Sequence, residues 1–151
     1  MPRTSVTSGG VTGGQALGQQ LLFSHFYKFA RLMLEGIPMP IYGDGSACRD
    51  YTYIDDLVGG IRAAIEYEGA PYEVINLGNH HPVSVLEMVR MLEEVLGRKA
   101  KLEFLPAPPG DVPHTWADVE KARRLLGYEP KTPFQEGLAS FARWLIEGEK
   151  T

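Results

Sequence analysis

The run Gly43-Asp44-Gly45-Ser46-Ala47-Cys48-Arg49-Asp50-Tyr51-Thr52-Tyr53-Ile54-Asp55-Asp56 organises this chain. It begins as a loop of glycines and small residues and presents one cation, Arg49, at the end of that loop. Backbone N–H groups and a guanidinium can converge on phosphate oxygens, so the loop is a candidate anion site. The alternative is a polar turn in which Arg49 pairs with Asp44 or Asp50, since a glycine loop alone is a weak signal.

The composition is that of one globular domain, because 44% of the 151 residues are apolar and 23% are charged. The net charge is −4 and the 15 Lys and Arg residues form no basic run, which disfavours nucleic acid as a partner. Cys48 is the only cysteine, so an intrachain disulfide is excluded and a reducing cytoplasm is expected. No apolar run approaches the length of a membrane span, so no membrane association is expected.

Residues 1–24 are rich in Ser, Thr and Gly and are expected to form a flexible N-terminal segment. The remaining residues, 25–151, are expected to form the folded domain. The glycines between Gly9 and Gly18 do not form the G-x-G-x-x-G pattern, and no apolar strand is recognisable before them. Both features are needed for a dinucleotide-binding loop, so the pattern disfavours one.

The order of predicted elements indicates an α/β fold with short strands. Apolar spacing predicts helices over 16–35, 55–67, 84–96, 118–126 and 133–146, and strands over 37–42, 51–54, 72–77 and 101–105. Ser84 with Glu87 forms a capping box, and Asp55 or Asp56 is expected to cap the second helix. The apolar strand 72–77 is expected to be buried on both faces, as in a parallel sheet. These strands are too few for a self-contained doubly wound sheet.

The run from Met39 to Asp56 resembles the NAD-dependent sugar-nucleotide epimerase/dehydratase family, the extended short-chain dehydrogenases. Within that family, the UDP-glucuronate and UDP-glucose 4-epimerase branch is the most similar. Further matches follow in the family's order: Ile75-Asn76-Leu77-Gly78-Asn79, Pro109-Gly110-Asp111-Val112, Thr115-Trp116-Ala117-Asp118 and Leu126-Gly127-Tyr128-Glu129-Pro130. The resemblance covers about residues 26 to 144.

Family members carry a Rossmann domain ahead of these motifs, with a Gly-rich loop for NAD and a catalytic Tyr-x-x-x-Lys pair. Here the only tyrosine before the match is Tyr27, and the residue four positions later is Arg31. The resemblance therefore implies the C-terminal, substrate-binding part of an extended short-chain dehydrogenase, lacking the N-terminal Rossmann domain. It implies no catalytic residue in this chain and no bound NAD, although the family uses NAD.

The resemblance also assigns five substrate-binding candidates. Arg49 matches the arginine that meets the diphosphate of the nucleotide sugar, and Asp111 matches the acid near the ribose. Tyr42 and Ile41 match the stretch that passes the uracil, and Thr115 stands where some members have a tyrosine. Asp111 and Tyr42 also have structural alternatives, a turn for Asp111 and core packing for Tyr42.

Many 4-epimerases have a second arginine at the position of Pro108, so its absence favours the glucuronate branch. The pair His80-His81 is interpreted as part of a loop, and Cys48 as incidental. Two hypotheses follow. The chain is a truncated nucleotide-sugar epimerase that at most binds UDP or a UDP-sugar and does not epimerise it alone. Alternatively, it is a ligand-free fragment that self-associates as a homo-oligomer through exposed apolar surfaces.

Overall fold

The computed structural model describes residues 3–8 and 25–148. Its strands are β1 Arg3–Ser8, β2 Met39–Tyr42, β3 Cys48–Asp50, β4 Tyr72–Leu77, β5 Pro82–Ser84 and β6 Leu102–Leu105. Its helices are α1 His25–Glu35, α2 Ile54–Ile65, α3 Val85–Leu96, α4 Glu120–Leu126 and α5 Phe134–Gly148. The fold is α/β, as the sequence predicts. The described residues form two compact units, a first of 3–8, 48–83 and 114–134, and a second of 25–47, 84–113 and 135–148.

The first unit is built around strand β4, which pairs in parallel with β1 so that Arg3 lies opposite Tyr72 and Ser8 opposite Leu77. Helices α2 and α4 pack on this pair of strands. Because side chains alternate along a strand, Ile75 and Leu77 enter the same core. The other core members are Ala117, Val119, Ala122 and Tyr128.

The prediction that β4 is buried on both faces is wrong. Tyr72 and Val74 are exposed, while Ile75 and Leu77 are buried. The apolar run therefore serves one core, and within the described part of the chain the second face of the strand stays open to solvent.

Strand β1 lies inside the segment that the sequence predicts to be flexible. Its sequence, RTSVTS, has no apolar pattern, and the strand is defined by its parallel pairing with β4. It precedes the glycines, but its sequence is polar, so it is not the apolar strand that a dinucleotide-binding loop needs. Residues 9–24, which include those glycines and the start of the predicted helix 16–35, lie outside the described residues.

The predicted strand over 51–54 is wrong, since the strand is Cys48–Asp50 and helix α2 already begins at Ile54. Strand β3 pairs with β5, which the sequence did not reveal. The N-cap of α2 is Tyr53 and makes no side-chain capping bond, so neither Asp55 nor Asp56 caps this helix as predicted. The Asp56 carboxylate instead accepts hydrogen bonds from the backbone N–H groups of Lys131 and Thr132, at 3.1 and 2.9 Å.

The second unit pairs β2 with β6 in parallel and packs α1 against α3 and β2. The cap prediction for α3 is confirmed, because the Ser84 hydroxyl accepts from the Glu87 N–H at 3.2 Å. The predicted stop is also confirmed, since Gly97 adopts the left-handed conformation at φ +62°. Among the described residues, the largest fully buried side chains of this unit are Met39, Ile41, Met88 and Leu92.

Among the helices that the structure describes, none combines the length and apolar character needed to cross a membrane.

Candidate functional site

The loop after β2 is a rigid turn in the second unit. Gly43 and Gly45 have φ values of +65° and +77°, which favour glycine. The Gly43 N–H donates to the Leu105 carbonyl at 2.8 Å, and the Gly45 carbonyl accepts from the Leu86 N–H at 3.1 Å. A Cβ on Gly45 would lie 2.5 Å from Leu86 Cγ, so the loop sits directly on the start of α3.

The Asp44 carboxylate closes this turn on itself. One of its oxygens accepts from the Ser46 hydroxyl at 2.5 Å and from the Ser46 N–H at 2.9 Å. These two bonds hold the pKa of Asp44 below its ordinary value of 3.8. Asp44 is therefore ionised at neutral pH.

Beside this turn lies a depression of about 170 Å³ that brings together two residues predicted from the sequence, Tyr42 and Asp111. Both are exposed, and the turn that carries Asp111 is closed by a bond from its N–H to the Pro108 carbonyl at 3.2 Å. Small side chains form much of the remaining wall. The other lining residues are Gly43, Asp44, Ser46, Ala47, Ala107, Val112 and Pro113.

Ile41 is not part of the lining. It alternates with Tyr42 along β2, lies opposite Phe104 of β6, and is completely buried. Its side chain belongs to the core of the second unit, and the alternation of side chains along β2 directs the neighbouring Tyr42 outward.

The other two candidates, Arg49 and Thr115, meet in the first unit at one carbonyl. The Cys48 carbonyl accepts from Arg49 Nη1 at 2.8 Å and from the Thr115 N–H at 3.2 Å. A β-bridge between Cys48 and His114 extends this contact. Two distant motifs of the sequence are therefore joined through the backbone of β3.

Asp50 makes a second connection between the same segments. Its Oδ2 accepts from the Ala117 N–H and from the His80 N–H, both at 3.1 Å. His80 adopts φ +60°, which is uncommon outside glycine, and its Nδ1 lies 2.8 Å from the Ala117 carbonyl. Oδ1 of Asp50 is enclosed, and no described residue forms a hydrogen bond with it.

Asp50 was considered in the sequence only as a partner for Arg49, and its role in joining three segments was missed. No local sequence pattern reveals this role, because the two N–H groups that donate to Asp50 belong to the backbone of residues distant in sequence. The one available signal is Gly78, since a side chain there would meet Ala117 and Asp50.

Tyr128, which follows α4, is bonded to the residue that follows β4 in the same unit. Its hydroxyl donates to the Gly78 carbonyl at 2.9 Å. Burial first, and then the charges of Asp56 and Asp50, raise the pKa of Tyr128 to about 12. It is therefore neutral at physiological pH and acts as a structural donor.

The structure offers little support for other chemistry. Within residues 3–8 and 25–148, no group of three or more His, Cys, Asp or Glu side chains could hold a metal ion. The His80 and His81 rings stand edge to face, 6.4 Å apart, as parts of one loop. Cys48 is half-buried and takes no part in a disulfide. In the whole sequence no tyrosine is followed by a lysine at the fourth position.

The fold and these motifs agree with a family comparison. The family model described as GDP-mannose 4,6 dehydratase matches residues 14–141. The chain belongs to the sugar-nucleotide epimerase/dehydratase family of extended short-chain dehydrogenases. The match begins at residue 14, so it enters the segment 1–24 that the sequence motifs left unassigned.

Its relatives include 4-epimerases of UDP-sugars. A UDP-glucuronate 4-epimerase of Thermodesulfobacterium geofontis is 41% identical over 122 residues, covering 80% of this chain and 37% of that protein. The crystal structure of UDP-glucuronic acid 4-epimerase from Bacillus cereus with UDP-glucuronic acid and NAD is 37% identical, with a TM-score of 0.76 over 82% of this chain and 40% of that one. An epimerase from Methanothermobacter thermautotrophicus gives a TM-score of 0.78 at 31% identity, over 99% of this chain and 43% of that one. The chain thus spans about two fifths of the length of these relatives.

Proposed function

We propose that this chain binds the UDP part of a UDP-sugar and does not epimerise the sugar by itself. The observation that carries the proposal is the depression shared by Tyr42 and Asp111, which the family motifs assign separately to the uracil and the ribose. Its volume is below the ~300 Å³ at which small-molecule pockets usually begin, so it suits a nucleoside rather than a whole sugar nucleotide.

The charges of the depression also suit a nucleoside. Asp111 and the ionised Asp44 both line it, so it attracts hydroxyl and N–H donors and repels phosphate. A carboxylate accepts readily from the vicinal hydroxyls of a ribose. Tyr42 is 52% exposed, which leaves its ring accessible to a flat base.

Arg49 belongs to the first unit and is treated by itself: the family motif alone assigns it to a diphosphate, and a guanidinium suits that role because it is always charged and can bond two phosphate oxygens. The bond from Nη1 to the Cys48 carbonyl restrains the side chain before a ligand arrives. The backbone N–H of Thr115 already donates to Cys48, so the hydroxyl is the group through which Thr115 would contact a phosphate.

Epimerisation is not assigned to this chain. In this family it needs hydride transfer to NAD and a proton-accepting tyrosine, and these 151 residues contain no Tyr-x-x-x-Lys pair. The described residues also present no Gly-rich loop of the dinucleotide-binding pattern. The sugar and the NAD seen in the solved relative are therefore not part of the proposal.

Calorimetric titration with uridine, UMP and UDP separates the parts of this proposal. We expect Asp111→Asn to weaken all three ligands by roughly 10- to 100-fold, as for the loss of a hydrogen bond to a charged group. Arg49→Ala should weaken UDP by a similar factor and leave uridine unchanged.

Glu103→Gln and Arg98→Ala remove a matched exposed carboxylate and a matched cation elsewhere in the second unit, and should change nothing. Absence of heat with every ligand refutes the proposal. Equal losses of UDP binding in the test and control variants refute the assigned roles.

A further inference from the structure

The first unit contains a depression of about 360 Å³, which we call the Asn79 depression. Residues from the connection between β4 and β5 form one wall, and the segment that leads into α5 forms the other. Its volume exceeds the ~300 Å³ at which small-molecule pockets usually begin. It shares no lining residue with the depression proposed for the nucleoside. The lining residues are Asn79, His81, Val83, Pro130, Lys131, Thr132, Pro133 and Phe134.

The first wall is held in place by His80, which is not itself part of the lining. The His80 N–H donates to Asp50 Oδ2 at 3.1 Å, and its Nδ1 lies 2.8 Å from the Ala117 carbonyl. The side chain of His80 is therefore engaged within the unit, and its neighbours Asn79 and His81 are the ones that line the depression.

The side-chain amide of Asn79 is the group that indicates a ligand. Asn79 is only 7% exposed, and none of the described residues forms a hydrogen bond with this amide. Neither polar atom of the amide is fully enclosed, so both remain accessible. Because buried polar side chains normally have hydrogen-bond partners, we infer that a molecule in the depression supplies them.

The second wall is rigid and leaves recognition to side chains. The N–H groups of Lys131 and Thr132 both donate to the Asp56 carboxylate, at 3.1 and 2.9 Å, so they are already occupied. Pro130 and Pro133 have no N–H group and a fixed φ. This wall therefore keeps its shape and adds no unpaired backbone donor to the depression.

The remaining surface is apolar and includes an aromatic ring. Phe134 stacks on Tyr51 with the ring centroids 4.8 Å apart, which fixes the orientation of the Phe134 ring. Val83 and the two prolines of the second wall complete the apolar part of the lining. Such a surface suits the flat body of an aromatic ligand.

The charges of the lining favour an anion. Lys131 contributes an exposed ammonium group, and either tautomer of His81 offers an N–H donor. The described lining includes no Asp or Glu, whereas the depression proposed for the nucleoside is lined by Asp44 and Asp111. Asp56 also acts on Lys131 through its charge, but it is not part of the lining.

We propose that the Asn79 depression binds a small aromatic carboxylate. The carboxylate accepts a hydrogen bond from the Asn79 NH₂ group and lies beside the Lys131 ammonium group, and the ring lies against Phe134 and the prolines. A carboxylate fits this place because it offers only acceptors, and the groups that converge on it are donors.

Benzoate and benzamide are matched probes for this site, since they have the same ring and differ in charge. In ¹H–¹⁵N correlation spectra of the full chain, benzoate should shift the signals of the Asn79 NH₂ group and of the Thr132 and Phe134 N–H groups. A ligand of this size should bind with a Kd on the order of 1 mM. Benzamide should bind about fivefold more weakly, because it lacks the charge that Lys131 attracts.

Two variants separate the charge from the amide. Lys131→Gln should weaken benzoate about fivefold and leave benzamide unchanged. Lys28→Gln removes another exposed lysine, on α1, and is the control that should change neither. Asn79→Leu replaces the amide by an apolar group of similar size and should weaken benzoate by roughly tenfold or more.

Far-UV circular dichroism checks that Asn79→Leu is folded, and Lys131→Gln tests the site at an exposed position where folding is not at risk. Signals of the Asn79 depression that do not move at ten times the expected Kd overturn the proposal. Benzamide that binds as tightly as benzoate also overturns it, and so do equal benzoate affinities of the Lys131→Gln and Lys28→Gln variants.

Discussion

Replacing Asp50 by alanine removes an acceptor that holds three segments of the first unit together. Its Oδ2 receives the N–H groups of His80 and Ala117, both at 3.1 Å. A hydrogen bond to a charged group contributes about 1.5–3 kcal/mol, and both donors would lose their partner. Because the site is only partly buried, we expect a total loss of about 3 kcal/mol for Asp50→Ala.

Asp50→Asn separates the acceptor from the charge. The amide oxygen can replace Oδ2, and the NH₂ group then takes the enclosed position of Oδ1, which has no described partner. We expect this variant to lose about 1 kcal/mol. Urea unfolding followed by circular dichroism measures both changes. With a slope of about 2 kcal/mol/M, Asp50→Ala should lower the urea midpoint by about 1.5 M.

Asp44→Ala is the matched control, because Asp44 also accepts two hydrogen bonds on one oxygen but is fully exposed. Its midpoint should move far less than that of Asp50→Ala. If the two alanine variants unfold at the same urea concentration, Asp50 does not join the segments as described. If Asp50→Asn is as unstable as Asp50→Ala, the charge and not the acceptor geometry is responsible.

Two further predictions concern the same unit. Gly78→Ala should destabilise the chain by about 1–3 kcal/mol in urea unfolding, because the added Cβ would overlap Ala117 and lie 2.9 Å from Asp50 Oδ2. Gly59→Ala is the control and should not destabilise the chain, because the space around Gly59 is open. Burial acts to raise the pKa of Asp56, but the N–H groups of Thr132 and Lys131 outweigh it and hold that pKa below 3.8. The stability from Asp56 is therefore present above pH 3.8 and is lost as pH falls through the lower folded value, so Asp56→Asn should show a flatter acid-unfolding curve than the wild type.

The elements that the sequence predicts well are those whose signals are local. Ser84 and Gly97 mark both ends of α3, since a hydroxyl cap and a left-handed glycine act within one turn of the helix. Strands β1 and β5 were missed because they are short or polar and depend on a partner strand distant in sequence. The prediction that Asp56 caps α2 is wrong for the same reason, because its partners are distant in sequence. Its position suits a helix cap, but its carboxylate bonds a loop that follows α4.

The same difference between local signals and long-range contacts applies to the candidate site. Tyr42 and Asp111 were identified by motif, and the structure places them in one depression. Ile41 was identified with Tyr42, but strand alternation puts its side chain in the core, which a motif cannot distinguish. The contacts that hold Arg49 and Thr115 run through the Cys48 carbonyl, and backbone groups are the same for every residue type, so no sequence pattern could have indicated them.

The sequence alone leaves open an ion pair between the neighbours Arg49 and Asp50 within a polar turn. The strand β3 argues for separate roles, because adjacent side chains on a strand point to opposite faces. Asp50 is directed toward His80 and Ala117, where its Oδ2 is occupied by two N–H groups. Alternation along the strand then places the preceding side chain, Arg49, on the opposite face. The carboxylate therefore serves the fold, and the guanidinium is the member of the pair that the proposed function assigns to a phosphate.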